Sequence, residues 1–130
     1  MDEFKELTIE QLRDFLNNNE HKYQTAQRRL CFAIIKRMYR RVCQGYRFGH
    51  IRICRYKNMV VDGNHTFISY SLAGVLNDEC DYTSSHCDLN RHYGTVDIDE
   101  IHDWDDFTER GRECKSDEHL NELTRIIKVI

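Results

Sequence analysis

The sequence predicts an α+β fold, a small mixed sheet flanked by helices, and three observations carry that expectation. A helical apolar stripe ends at Gly45, and alternation of period two follows at Ile51, Ile53 and Tyr56. A strand-like Met59-Val60-Val61 runs through Asp62-Gly63 into a segment closed by Gly74, and no apolar run is long enough to cross a bilayer. With 130 residues, 40% hydrophobic and 32% charged, the chain has room for one core and is expected to be a single domain over 1–130. That excludes a large multidomain enzyme, a wholly disordered chain and a membrane span.

The elements follow in order. Thr8 with Gln11 has the pattern of a capping box ahead of Leu12, Phe15 and Leu16, a short amphipathic helix ending near residues 17–19. After a polar break, Thr25 is expected to cap a longer helix whose stripe is Leu30, Ile34, Met38 and Val42. Arg29, Lys36, Arg37, Arg40 and Arg41 fall on its other faces, and Gly45 ends it. Residues 51–56 and 59–61 form a hairpin around Lys57-Asn58, its second strand expected to be the more buried. Downstream, residues 77–93 are polar, 95–101 suit an edge strand, Trp104 and Phe107 are anchors, and Leu120, Leu123, Ile126 and Ile127 space a C-terminal helix.

The net charge of -3 hides a split. Residues 1–60 hold thirteen Lys/Arg and six Asp/Glu, a balance of +7, and residues 61–130 hold six and sixteen, a balance of -10. Arg28 to Lys57 contains ten basic residues and no acid, while Asp97 to Asp106 contains six acids and no Lys or Arg. With Phe32, Tyr39, Tyr46, Phe48 and Tyr56 interleaved, the basic stretch suits nucleic acid or polyphosphate; it suits equally well pairing with the acidic half of the same chain. No basic and apolar leader opens the sequence, so a reducing, cytoplasmic setting is expected. Its six cysteines are then free thiols, with Cys31 and Cys43 in the core or half-buried in a helix.

The turn at Asp62 to Thr66 is the segment with chemistry. The first N–H groups of a helix lack intrahelical partners and sit at the positive end of its dipole, so an anion placed there is stabilised. Gly63 permits close backbone approach. Asn64, His65 and Thr66 add polar groups, and Asp62 can accept a proton, orient His65 or hold Mg2+. An ordinary turn in which Asp62 or Asn64 caps the helix explains the same letters.

Asp62-Gly63-Asn64-His65 followed by Leu72-Ala73-Gly74 resembles the signature of the ParB/sulfiredoxin-like superfamily. The resemblance extends upstream through Tyr23-Gln24, Arg28, Gly45 and Ile51 to Arg55, covering residues 20–76 as a core between a helical lead (1–19) and a polar, acidic and helical remainder (77–130). It implies that fold and a phosphate site for a nucleotide such as ATP, CTP or GTP. Thr66 stands where the family usually has a phosphate-binding arginine, a role that Arg28, Arg47 or Arg52 would have to supply. Asn64 stands where sulfiredoxins have cysteine, and no DNA-binding helix-turn-helix follows. A reaction is therefore not implied.

Other groupings are weaker. Cys80, His86, Cys87 and His92 are zinc-ligand types at poor spacing, which makes zinc an unlikely cofactor on spacing alone. The acids of Asp97 to Asp106 suit a charged strand edge, a Mg2+ site or a surface that occupies a basic partner. The expected function is binding of nucleotide or nucleic-acid phosphate. Were it an enzyme, it would be a phosphotransferase, nucleotide hydrolase or nuclease, with Asp62 and His65 as catalytic groups. The alternative is a non-catalytic module that binds a protein through its charged faces, as a mobile-element or defence-related regulator would.

Overall fold

A computed structural model describes residues 4–18, 21–82 and 90–105 of the chain. Helix α1 (Ile9–Asn17) opens with the reciprocal capping box: the Thr8 hydroxyl accepts from the Gln11 N–H, and the Gln11 side chain accepts from the Thr8 N–H at 2.9 Å. Its apolar face puts Leu12 and Leu16 into the core. Two short strands follow, β1 (Gln24–Thr25) and β2 (Arg29–Cys31), and only then α2 (Phe32–Cys43).

The expected start of α2 at Thr25 is therefore corrected. Thr25 is a buried strand residue, Leu30 lies in β2, and α2 begins after Cys31 with no side-chain cap. The expected face of α2 is corrected as well. Its buried positions are Ala33, Ile35, Arg37, Arg41 and Val42, so two of the arginines assigned to other faces are enclosed. Gly45 ends the helix with φ +97°, donating its N–H to Val42.

Strands β3 (Ile51–Cys54) and β4 (Met59–Asp62) form the antiparallel hairpin, with Asn58 in the left-handed region at its turn. β3 is at least as buried as β4, because both are internal: β1 pairs parallel to β4, and β5 (Glu79–Asp81) pairs parallel to β3, for an order β1-β4-β3-β5. Between β4 and β5 runs α3 (Asn64–Ala73), in which Phe67 to Tyr70 are four consecutive buried residues. A helix enclosed on all sides shows no amphipathic period. α3 packs chiefly on α2 and ends at Gly74, φ +72°.

The last described strand, β6 (Asp97–Asp99), follows a single 3-10 turn at Tyr93–Thr95 and pairs parallel with β2, Leu30 opposite Ile98. The main core gathers Leu12, Leu30, Ile35, Ile53, Val60 and Ile68 among others, all fully enclosed. A smaller cluster places Cys31 and Ala33 beside Ile34 and Trp104. Cys43, expected inside, is exposed at the end of α2. Phe107 and the expected C-terminal helix lie outside the described residues. Among the described residues no helix is long and apolar enough to cross a membrane.

Candidate functional site

The β4-to-α3 turn lines a cavity of about 370 Å³. Asp62, Gly63, Asn64, His65 and Thr66 form one wall. Gln27, Ile34, Arg37, Met38, Arg41, Phe48 and Asp105 form the rest. The wall exists because Gly63 takes φ +87° immediately before the first helical residue, a conformation L side chains rarely adopt. A Cβ at Gly63 would stand 3.0 Å from Ile51 Cγ2 and 3.2 Å from Ile51 Cα, so the turn also lies directly on the backbone of β3. No side chain caps α3 and its first turn carries no acid, which leaves the positive end of a ten-residue helix facing the cavity.

The turn's side chains divide by role. Asn64 is buried and its amide is engaged at both ends: Oδ1 accepts from Thr25 Oγ1 at 2.5 Å and from the Tyr93 hydroxyl at 2.8 Å, and Nδ2 donates to the Val60 carbonyl at 3.4 Å. It ties β1, β4, α3 and the 3-10 turn together. Burial pushes the Tyr93 phenol far above its ordinary value, so it stays a neutral donor.

His65 accepts the Cys31 N–H at Nε2, 2.9 Å, which places the ring proton on Nδ1. Burial lowers its pKa to about 4, against a smaller opposing pull from Asp105, and its ring meets Trp104 edge to face at 5.6 Å. A neutral imidazole whose lone pair is already occupied offers a hydrogen bond and is a poor general base. Asp62 is the exposed member of the turn, with Arg52 Nε 4.0 Å from its carboxylate across the hairpin.

Arg28, Arg47 and Arg52, the cations expected to serve the turn, do not line the cavity. Arg28 is exposed, Arg47 donates to the carbonyls of Val42 and Tyr46, and Arg52 meets Asp62 from outside. The cavity's cations come instead from α2, four residues apart on one face. Arg37 is 2% exposed and held by Asp103, which is 1% exposed, through Nη1 at 2.7 Å and Nη2 at 3.2 Å. Its Nη2 also reaches Asp105 at 2.9 Å, and the Asp105 side chain is 57% exposed. Arg41 is 5% exposed and differs: its one described hydrogen bond runs from Nη1 to Gln44 Oε1 at 3.2 Å. Its guanidinium stacks over Tyr46 at 4.8 Å, its buried Nε has no hydrogen-bond partner, and no carboxylate pairs with it among the described residues.

The remaining groupings take other places. Asp99, expected on an exposed strand edge, is buried: it accepts from the N–H groups of Ile101 and His102 and from Trp104 Nε1, and it pairs with Arg29. Burial disfavours its charge, yet these donors outweigh that and hold its pKa near 2. Cys80 bonds the Ile51 carbonyl and His92 caps Gly94, while His86 and Cys87 lie outside the described residues. Among the described residues no three His, Cys, Asp or Glu side chains are grouped to hold a metal. Comparison with known protein families, with curated proteins and with solved structures finds no match to this chain.

Proposed function

We propose that the chain binds a phosphate group of a nucleotide or nucleic acid in the cavity at the start of α3. The single observation behind this reading is Arg41, a guanidinium 5% exposed, with no described counter-charge, lining the same cavity as the uncapped end of α3. Burying a lone cation costs several kcal/mol, on the order of the penalty for any unpaired buried ion, and an anion seated there removes that cost while meeting the free N–H groups. Phosphate is the anion whose oxygens match an arginine fork and a helix end together.

The backbone N–H groups of Asn64 to Thr66, the Thr66 hydroxyl and the Nδ1–H of neutral His65 are the further donors of the proposed site. Mg2+ is commonly held by one or two carboxylates plus phosphate oxygens, and Asp62 is the carboxylate that would contribute here. The occupied lone pair of His65 favours binding over acid-base catalysis by that residue. The proposal includes a ParB/sulfiredoxin-like fold, supported by the strand–Gly63–helix turn and the closing Gly74.

The test is thermal unfolding with ATP, CTP, GTP and a 5′-phosphorylated oligonucleotide, each with and without Mg2+. A ligand at a hundredfold excess over its Kd adds about 2.7 kcal/mol of stability, a shift of several degrees, and Arg41→Gln removes the response. If neither a nucleotide nor a 5′-phosphorylated oligonucleotide moves the transition, the phosphate reading fails and the protein-interaction module expected from the charged faces takes its place.

A further inference from the structure

Resting on the phosphate reading, the geometry points to the class of phosphate: we infer that the cavity selects a terminal phosphate group over the internal phosphodiester of a nucleic-acid strand, and that Asp105 enforces the choice. Arg37 already has a full partner in Asp103, which grips it from both nitrogens in an enclosed setting. Asp105 is a second carboxylate on the same guanidinium. It lines the cavity together with Arg41, it is more than half exposed, and its oxygen sits 2.9 Å from Arg37 Nη2, on a donor that a ligand oxygen would take. Asp105 thus holds the place of a phosphate oxygen. It can leave at small cost, because its bond to Arg37 is exposed on one side and Asp103 keeps the guanidinium neutralised.

A group that takes that place must displace one negative charge and must do so beside Asp62, a second exposed carboxylate of the same cavity. A phosphodiester carries one charge and gains little from the exchange. A terminal phosphate carries about -1.5 to -2 at pH 7 and gains more from the paired arginines and the helix end. Access points the same way. Arg41 is 95% enclosed and lines a cavity of about 370 Å³, which suits a phosphate entering end-on, whereas a diester has chain leaving on two sides. Part of the basic stretch is neutralised within the chain. Arg29, Arg37, Arg52 and Arg55 are each paired with a carboxylate of this chain.

Both a free nucleotide and the 5′-phosphate end of an oligonucleotide present this chemistry, and the experiment separates them. Binding is measured by calorimetry for ATP, for a short single-stranded DNA bearing a 5′-phosphate, and for the same DNA bearing a 5′-hydroxyl, on the wild type and on Asp105→Asn. The expected result is at least tenfold tighter binding of ATP or of the 5′-phosphate DNA than of the 5′-hydroxyl DNA. In Asp105→Asn the affinity for both classes rises severalfold and the preference narrows. Equal or tighter binding of the 5′-hydroxyl DNA to the wild type overturns the selectivity. An unchanged preference in Asp105→Asn overturns the role of Asp105 while leaving the phosphate site standing. If neither protein binds any of the three, the site reading falls and this inference with it.

Discussion

Asn64 and His65 are adjacent, and both look ligand-facing in the sequence; only three-dimensional partners separate them. The acceptor of Asn64 is filled by Thr25 and Tyr93, 39 and 29 residues away, and no local pattern reveals such contacts. Asp62, Gly63 and Thr66 were legible because a strand, a glycine and a helix start are local properties. Arg37 and Arg41 were missed because charge alone assigns an arginine to solvent, although their spacing of four on the helix that meets α3 was the available signal. His65 gives a pH prediction. Its folded pKa of about 4 lies below the unfolded 6.5, so between these values the unfolded chain binds the extra proton and stability rises with pH. The contribution is complete above pH 6.5 and is lost as pH falls towards 4, about 3 kcal/mol in all. Urea midpoints should fall steeply in the wild type as the pH is lowered from 7 to 4, and less so in His65→Gln. A residual slope is expected from His21, whose pKa burial also lowers.

Among the elements, those defined by their own residues were legible: the capped α1, the β3–β4 hairpin, and α3 between Gly63 and Gly74. β1 and β2 were not, since strands of two and three residues are too short to show a period and owe their extension to distant partners in β4 and β6. Thr25 illustrates the conflict: its hydroxyl suits a cap, and it does accept the Gln27 N–H, yet a ladder with Val60 holds its backbone. The contact between Gly63 and β3 makes the turn sensitive to a single methyl group. Gly63→Ala combines a left-handed φ with a Cβ 3.0 Å from Ile51, for a loss of about 1–3 kcal/mol. A Tm lowered by several degrees, with weakened nucleotide response at temperatures where the variant is folded, is the expected outcome.

At the scale of the molecule, the +7/-10 split resolves into ion pairs that join the halves: Arg13 with Glu100, Arg29 with Asp99, Arg37 with Asp103 and Asp105, and Arg55 with Glu79 and Asp81. The asymmetry was legible; that the enclosed Arg41 has no carboxylate partner among the described residues was not. The enclosed Arg37–Asp103 pair gives the sharpest energetic prediction. Arg37→Met strands Asp103 and should cost about 3–5 kcal/mol in urea unfolding, while the double variant with Asp103→Leu should recover most of that. Failure of the second change to recover stability would show that Arg37 matters through its packing. The pair also bears on the order of events during synthesis. Arg37 and its partner are 66 residues apart, and β2 waits equally long for β6. A nascent chain that has emerged only through the hairpin and α3 carries α2 with a cation that cannot yet be enclosed. Enclosure of Arg37 against its counter-charge therefore has to await the acidic segment, which makes this wall of the cavity a late part of the fold to be completed.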